Sequence, residues 1–315
     1  MGERIFITGC AGYLASSLIE KCLGDKDVEW IGGNDIRKPG IVGAGFNFYE
    51  LDVRDERLSY ILKENNVNTL VHLAWIFNPT HSKELEYEVD VKGSENVLRS
   101  CKEAGVKYIL YLSSTTAYGA RPDNPPEMEE EYPRRGHDKF LYSKHKAIVD
   151  DMFMRFIKEN PDINVCVYRA PIVLGPNTKN FLVSFVKMPV MFAVRGYDPF
   201  MQFIHEEDMR ELLYWSIKNK PVGVYNVAGS GLVRYSDIAK IFNKRRVKLP
   251  EWLIYPITEI LWRMRILDFP SAVLDFIKYP WVCKTIKFKE TYPEFEIRYS
   301  SEDAVKAFAE GYRRK

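Results

Sequence analysis

Along the first half of the chain, short apolar runs rich in β-branched residues alternate with stretches whose apolar positions recur every three or four residues. RIFITG (4–9), VEWIGGND (28–35), NTLVHLAW (68–75), VKYILYLSS (106–114) and NVCVYRAP (164–171) read as strands. AGYLASSLIEKCLG (11–24) and ELEYEVDVKGSENVLRSCKEAG (84–105) read as helices between them, the second stopped at Ala104-Gly105. Strands that alternate with helices imply right-handed crossovers and a parallel sheet covered on both faces. The expected fold class is α/β, with a doubly wound sheet. After about residue 176 prolines and aromatics increase and the strands become irregular, which predicts a smaller second region. GVYNVAG (223–229) again has a buried-strand pattern, so the chain is expected to return to the first sheet around 205–229.

Composition narrows the class. The 315 residues are 46% hydrophobic, enough for one large domain or two coupled ones. With 45 basic and 43 acidic residues the net charge is +2, which points to no nucleic-acid partner, and the basic YRRK near the C-terminus reads as a solvated tail. Five cysteines at 10, 22, 101, 166 and 283 lack zinc-ligand or redox spacing, and the five histidines are dispersed, so no metal site is expected. The cysteine pattern and the absence of a signal-peptide layout at MGERIFITG fit a reduced, cytoplasmic setting. The most apolar window, WLIYPITEILW (252–262), is interrupted by Pro256 and Glu259 and is too short to span a bilayer.

TGCAGYLA (8–15) joins the first strand to the first helix. Gly9 and Gly12 permit a tight turn, Ala15 is small enough for close helix packing, and the helix N-terminus offers free N–H groups to a pyrophosphate. Asp35 ends the second strand, 20 residues after Ala15, where a carboxylate accepts the hydroxyls of an adenosine ribose. This favours NAD over NADP. Arg37 and Lys38 stand close enough in sequence to pair with a 2′-phosphate, so NADP stays open.

These motifs, in this order, resemble the extended short-chain dehydrogenase/reductases, the NAD-dependent epimerase/dehydratase family. TGCAGYLA resembles the cofactor turn, and LDVRD (51–55), with Asp52 and Val53, the adenine-contacting segment. VHLAW (71–75) resembles the strand end that lines the cofactor, YLSSTTAYGA (111–120) the catalytic-serine segment, and YSKHKA (142–147) the Tyr-x-x-x-Lys helix. YRAPIVLGP (168–176), FIHEEDM (203–209) and VYNVAG (224–229) match later signatures. The resemblance implies a Rossmann-type domain over 1–175 and a mainly substrate-capping domain over 176–315. It implies NAD contacts from Gly9, Gly12, Tyr13, Leu14, Asp35, Ile36, Arg37, Asp52, Val53, Leu73, Ala74, Tyr142 and Lys146, the lysine on the nicotinamide ribose, with Pro171 and Ile172 at the nicotinamide end. It implies a homodimer through helices near 84–104 and 137–158, and catalysis by Ser114, Tyr142 and Lys146.

Tyr142 and Lys146 are four apart and share one helical face, so the ammonium is expected to lower the phenol pKa and make Tyr142 a proton shuttle at a secondary alcohol or ketone. Lys144 points away, and His145 reads as surface. Two departures from the family bear on the substrate. Nucleotide-sugar enzymes carry an asparagine where Ile172 stands and an arginine where Met201 and Gln202 stand, so a diphosphate site loses an amide and a guanidinium unless Arg195 or Arg210 replaces them. Thr115 and Thr116 replace the acid pair of the dehydratases. The apolar stretches 181–194 and 252–269 read as core packing, an apolar substrate cleft, or an amphipathic edge resting on a membrane. The expected function is an NAD-dependent oxidoreductase acting on a small-molecule secondary alcohol or ketone, in the manner of 3β-hydroxysteroid dehydrogenases or ketone reductases and not on a nucleotide sugar. The alternatives are a nucleotide-sugar 4-epimerase and an NAD-binding scaffold without turnover.

Overall fold

The computed structural model describes residues 2–40, 45–178 and 186–314. Its centre is a seven-stranded parallel sheet. Six strands come from the first half: β1 (Glu3–Thr8), β2 (Val28–Asp35), β3 (Phe46–Glu50), β4 (Thr69–His72), β5 (Tyr108–Ser114) and β6 (Asn164–Ala170). They lie in the order β6-β5-β4-β1-β2-β3, and Gly223–Asn226 adds a seventh strand beside β6. The helices of this half are α1 (Tyr13–Leu23), α2 (Arg57–Glu64), α3 (Lys83–Tyr87), α4 (Gly93–Ala104) and α5 (Leu141–Glu159).

The central strands are apolar at consecutive positions because both faces are covered. Ile5 and Ile7 of β1 pack with Leu18 and Ile19 of α1 and with Leu212 and Leu213 of the later helix Glu206–Asn219. Phe6, between them, faces the other layer with Leu58, Val97, Val149 and Phe153. β3 was not foreseen: its FNFYE is a five-residue edge strand with no fully buried position, so its apolar signal is weak. The helix expected over 84–105 does form, but it contains a π turn, Glu88–Lys92, between α3 and α4. π turns concentrate at functional sites, and this one carries the buried Asp90.

Residues from 186–203, 233–283 and 304–309 build a second cluster over the carboxyl ends of the strands, while those between Ile204 and Val227 pack on the first. Val190–Val194 pairs in parallel with Arg245–Leu249. The helix Glu251–Arg263, the 3-10 turn Ser271–Ile277 and the helix Ser301–Arg313, with its Ser300/Asp303 capping box, complete the layer. Residues 181–185 of the apolar stretch 181–194 lie outside the described residues. All five cysteines are buried free thiols. Among the described residues no helix is long and apolar enough to cross a membrane.

Candidate active site

One cavity of about 1380 Å3 runs across the carboxyl ends of the strands and into the second cluster. The residues expected to hold a dinucleotide line its first half. Gly9 adopts φ +69°, and a Cβ there would lie 2.6 Å from the Cα of Ala74. Only glycine satisfies both the left-handed conformation and that close approach. The Gly9 and Cys10 amides donate to the Asn34 carbonyl at 2.8 and 3.1 Å, fixing the turn to β2. Leu73 and Ala74 follow β4, and their amides both donate to the Thr8 hydroxyl. Thr8 also bonds His72, whose imidazole is neutral because burial, aided by Lys146, lowers its pKa to about 3.

α1 starts at Tyr13 and Leu14 with no side-chain cap and no acid in its first turn, so its amides and dipole are left for an anion. At the end of β2, Asp35 accepts from the Ala11 amide at 3.1 Å and the Arg37 amide at 2.9 Å. The Arg37 guanidinium stays largely in solvent, 3.8 Å from that carboxylate, and Ile36 beside it is exposed. Asp52 is forked by Arg54 and held below the usual carboxylate range by it, while Val53 is buried. The buried Asn34 Oδ1, lining the same wall, has no hydrogen-bond partner among the described residues. A bare helix N-terminus, a carboxylate at the ribose position and an unpaired acceptor between them fit a dinucleotide.

The same cavity is lined by Ser114, Tyr142 and Lys146 and by Pro171 and Ile172. Ser114 ends β5, and its Oγ accepts from the amide and hydroxyl of Thr116 at 3.2 and 2.9 Å. Tyr142 and Lys146 stand on one face of α5, and Lys146 donates to the Leu112 carbonyl at 2.9 Å. Its ammonium also sits 3.6 Å from the centre of the Trp75 ring.

Here the electrostatics correct an expectation. The Tyr142 pKa is raised, not lowered: burial dominates, Asp90 adds to it, and the Ser114 hydroxyl opposes both. Lys146 gives the phenol little help because burial pulls its own pKa down to about 7, against the attraction of Asp90 and Asp150. In the cofactor-free protein Tyr142 is therefore a proton donor.

That Lys146 shift has a stability consequence. A lysine whose folded pKa lies below its unfolded value of 10.5 costs most at low pH, where both states are charged. Between pH 7 and 10.5 the unfolded chain binds the extra proton, so stability rises with pH across that window. Lys146→Met is expected to melt several degrees above the parent at pH 6, with the gain shrinking by pH 9.5. Thermal melts of both proteins at the two pH values check this.

The neighbours of Tyr142 in YSKHK also differ from expectation. Lys144 is exposed, as expected, but His145 is buried and bonds Asp90 at 3.0 Å, because α5 packs against α3 and the π turn at that position. Ser143 is buried too, donating to the Thr116 carbonyl at 2.6 Å. Asp90, which sequence reasoning missed, also accepts from the Ile76 amide, and burial raises its pKa. The only sequence signal was a lone acid between two valines. Trp75 was missed as a site residue as well: its Nε1 is buried with no hydrogen-bond partner among the described residues, and the residue lines the cavity.

Beyond Tyr142 the wall is apolar, with Phe140, Met191, Met201, Phe276, Ile277 and Trp281. Gln202 is unavailable to a ligand, since its amide group bonds the Cys283 backbone at both ends. Of the two arginines considered as replacements, Arg210 lines the cavity, tied to Glu211, and Arg195 is exposed and does not line it. Among the described residues no group of three or more His, Cys, Asp or Glu side chains converges as a metal site would.

A sequence model described as the NAD dependent epimerase/dehydratase family matches residues 5–228. An uncharacterized protein of Mycobacterium tuberculosis is 20% identical over 270 residues, 84% of this chain and 70% of that protein. The N-acetyl-alpha-D-glucosaminyl-diphospho-ditrans,octacis-undecaprenol 4-epimerase of Escherichia coli O157:H7 is 25% identical over 270 residues, 82% of this chain and 77% of that protein. Among solved structures, the UDP-glucose 4-epimerase of Thermus thermophilus, in complex with NAD, superposes with a TM-score of 0.74 at 18% identity, covering 98% of this chain and 99% of that one.

Proposed function

The chain belongs to the NAD-dependent epimerase/dehydratase family, and from that premise we propose that it is a 4-epimerase acting on a sugar joined to a diphosphate. The observation that carries the reading is that Ser114, Tyr142 and Lys146 line the same cavity as the glycine turn, together with a set of apolar side chains. The relatives favour the epimerase over the net alcohol–ketone oxidoreductase that the sequence alone put first. The apolar wall then bears on what carries the diphosphate. It suits a lipid carrier, as in the name of the E. coli relative, better than a nucleoside.

In this reading Gly9, Gly12, Tyr13 and Leu14 hold the pyrophosphate, Asp35 and Asn34 the adenosine, and Lys146, Pro171 and Ile172 the nicotinamide end. NAD, when bound, supplies the ring that takes up and gives back a hydride, and its oxidised form adds a positive charge. Tyr142 removes the proton of the sugar 4-hydroxyl as C4 becomes a ketone, and returns it after the sugar has presented its other face. Ser114 donates to the same oxygen. Proton and hydride both come back, so no co-reactant is consumed. Residues 1–175 with the returning strand form the NAD half, and 176–315 mainly cap the substrate. The dimer through 84–104 and 137–158 is part of the proposal; Ile148, Met152 and Ile157 of α5 are only half buried in the single chain.

The test is product analysis. Protein with NAD is incubated with UDP-glucose, UDP-N-acetylglucosamine and undecaprenyl-diphospho-N-acetylglucosamine. The expected result is the 4-epimer of at least one, with no NADH accumulating. NADH accumulating in step with a ketone product would establish the net oxidoreductase instead, the reading favoured by the apolar wall alone.

A further inference from the structure

The helix Glu251–Arg263 buries Ile254 and Thr258 against the second cluster and leaves a further apolar row on its outer side. Along its flanks Glu251 pairs with Lys278 at 2.8 Å, Tyr255 bonds Asp275, and Glu259 accepts from the Ser271 hydroxyl at 2.9 Å. On the outer side Trp252, Ile257, Ile260 and Met264 follow one another along the helix, and Ile266 continues the stripe just beyond it. Their exposures are 76, 42, 55, 64 and 60%. An aligned stripe of large apolar side chains in water marks a surface that something covers.

We propose that this stripe docks on the surface of a phospholipid bilayer. Both acids of the helix are already paired, Glu251 with Lys278 and Glu259 with Arg263, so neither brings an uncompensated carboxylate to the headgroups, and Arg265 is exposed beside the apolar groups. A tryptophan at one end and arginines at the other match the headgroup level, where indole rings sit and long cationic side chains reach outward from an apolar contact. Size disfavours a second copy: a stable dimer buries about 800 Å2 per partner, some 20–30 residues a side, and the stripe has five large side chains.

The position of the stripe gives it a use. The helix rests on the turn Ser271–Ile277, whose Val273, Phe276 and Ile277 form part of the cavity wall. Trp262 stacks on His81, with ring centres 3.9 Å apart, next to the loop whose Phe77, Asn78 and Thr80 line the cavity. One helix therefore separates the bilayer-facing surface from the apolar chamber.

The experiment is flotation with vesicles of mixed phosphatidylcholine and phosphatidylglycerol, with no sugar substrate present, so its outcome does not depend on the epimerase reading. The parent protein is expected to float. Ile260→Asn combined with Met264→Asn, both exposed, is expected to keep the melting temperature and lose at least about tenfold in vesicle partitioning. Parent protein that stays unbound, or a double variant that floats equally well, overturns the proposal. So does a parent dimer that the double substitution dissociates without any vesicle binding.

Discussion

Tyr142→Phe is expected to lower turnover by roughly 10^2–10^4-fold, the contribution of a positioned proton-transfer group, and to leave folding and NAD binding in place. The ring fills the same space between Phe77 and Phe140, against which it packs at 5.2 and 5.8 Å between centres. What disappears is the one hydroxyl on α5 that the cavity presents beside Ser114. The check pairs single-turnover rates on the substrate found by product analysis with the thermal shift produced by NAD. A rate within tenfold of the parent would show that another group moves the proton.

The second large effect is on stability. Tyr142, Lys146 and Asp150 succeed one another at four-residue spacing along α5, and Asp150 is fully buried. Its carboxylate takes Arg169 Nε and Nη2 at 2.9 and 2.7 Å and the Ser113 hydroxyl at 2.7 Å. Arg169, itself 1% exposed, also donates to the Tyr118 hydroxyl and the Glu130 carbonyl. Asp150→Ala leaves that guanidinium buried without its counter-charge, and breaking a buried pair from one side costs about 3–5 kcal/mol. Asp150→Leu with Arg169→Met removes both charges and is expected to cost clearly less than the single change. Urea melts of the three proteins give the comparison. A double variant less stable than Asp150→Ala would mean that the network's other bonds, not the uncompensated charge, set the cost.

How far the sequence foretold this molecule depended on whether a signal was local. The strands buried on both faces announced themselves as continuous apolar runs, and β2 ends at Asp35, the residue expected from the motif. The glycine turn, Ser114, Tyr142 and Lys146 were legible because each sits in a short motif, and all of them line the same cavity. Three things were not legible. β3 lies on an edge and lacks a buried stripe. The fate of His145 depended on Asp90, 55 positions away and swung inward by a π turn that no periodicity marks. The Tyr142 pKa depended on how dry the site is, and on Lys146 losing its own charge to the same dryness, which residue spacing does not encode.

The strand Gly223–Asn226 closes the β6 edge only after the chain has travelled through the capping layer and back. During synthesis, then, β6 emerges with a bare row of amides and carbonyls and must wait for more than fifty further residues before its neighbour exists. An open edge of that kind is a template for wrong partners. Shortened chains ending near residue 175 would keep every element of the dinucleotide turn and yet be the form most prone to aggregate, so dividing this protein at the point where its pattern changes would not yield two soluble halves.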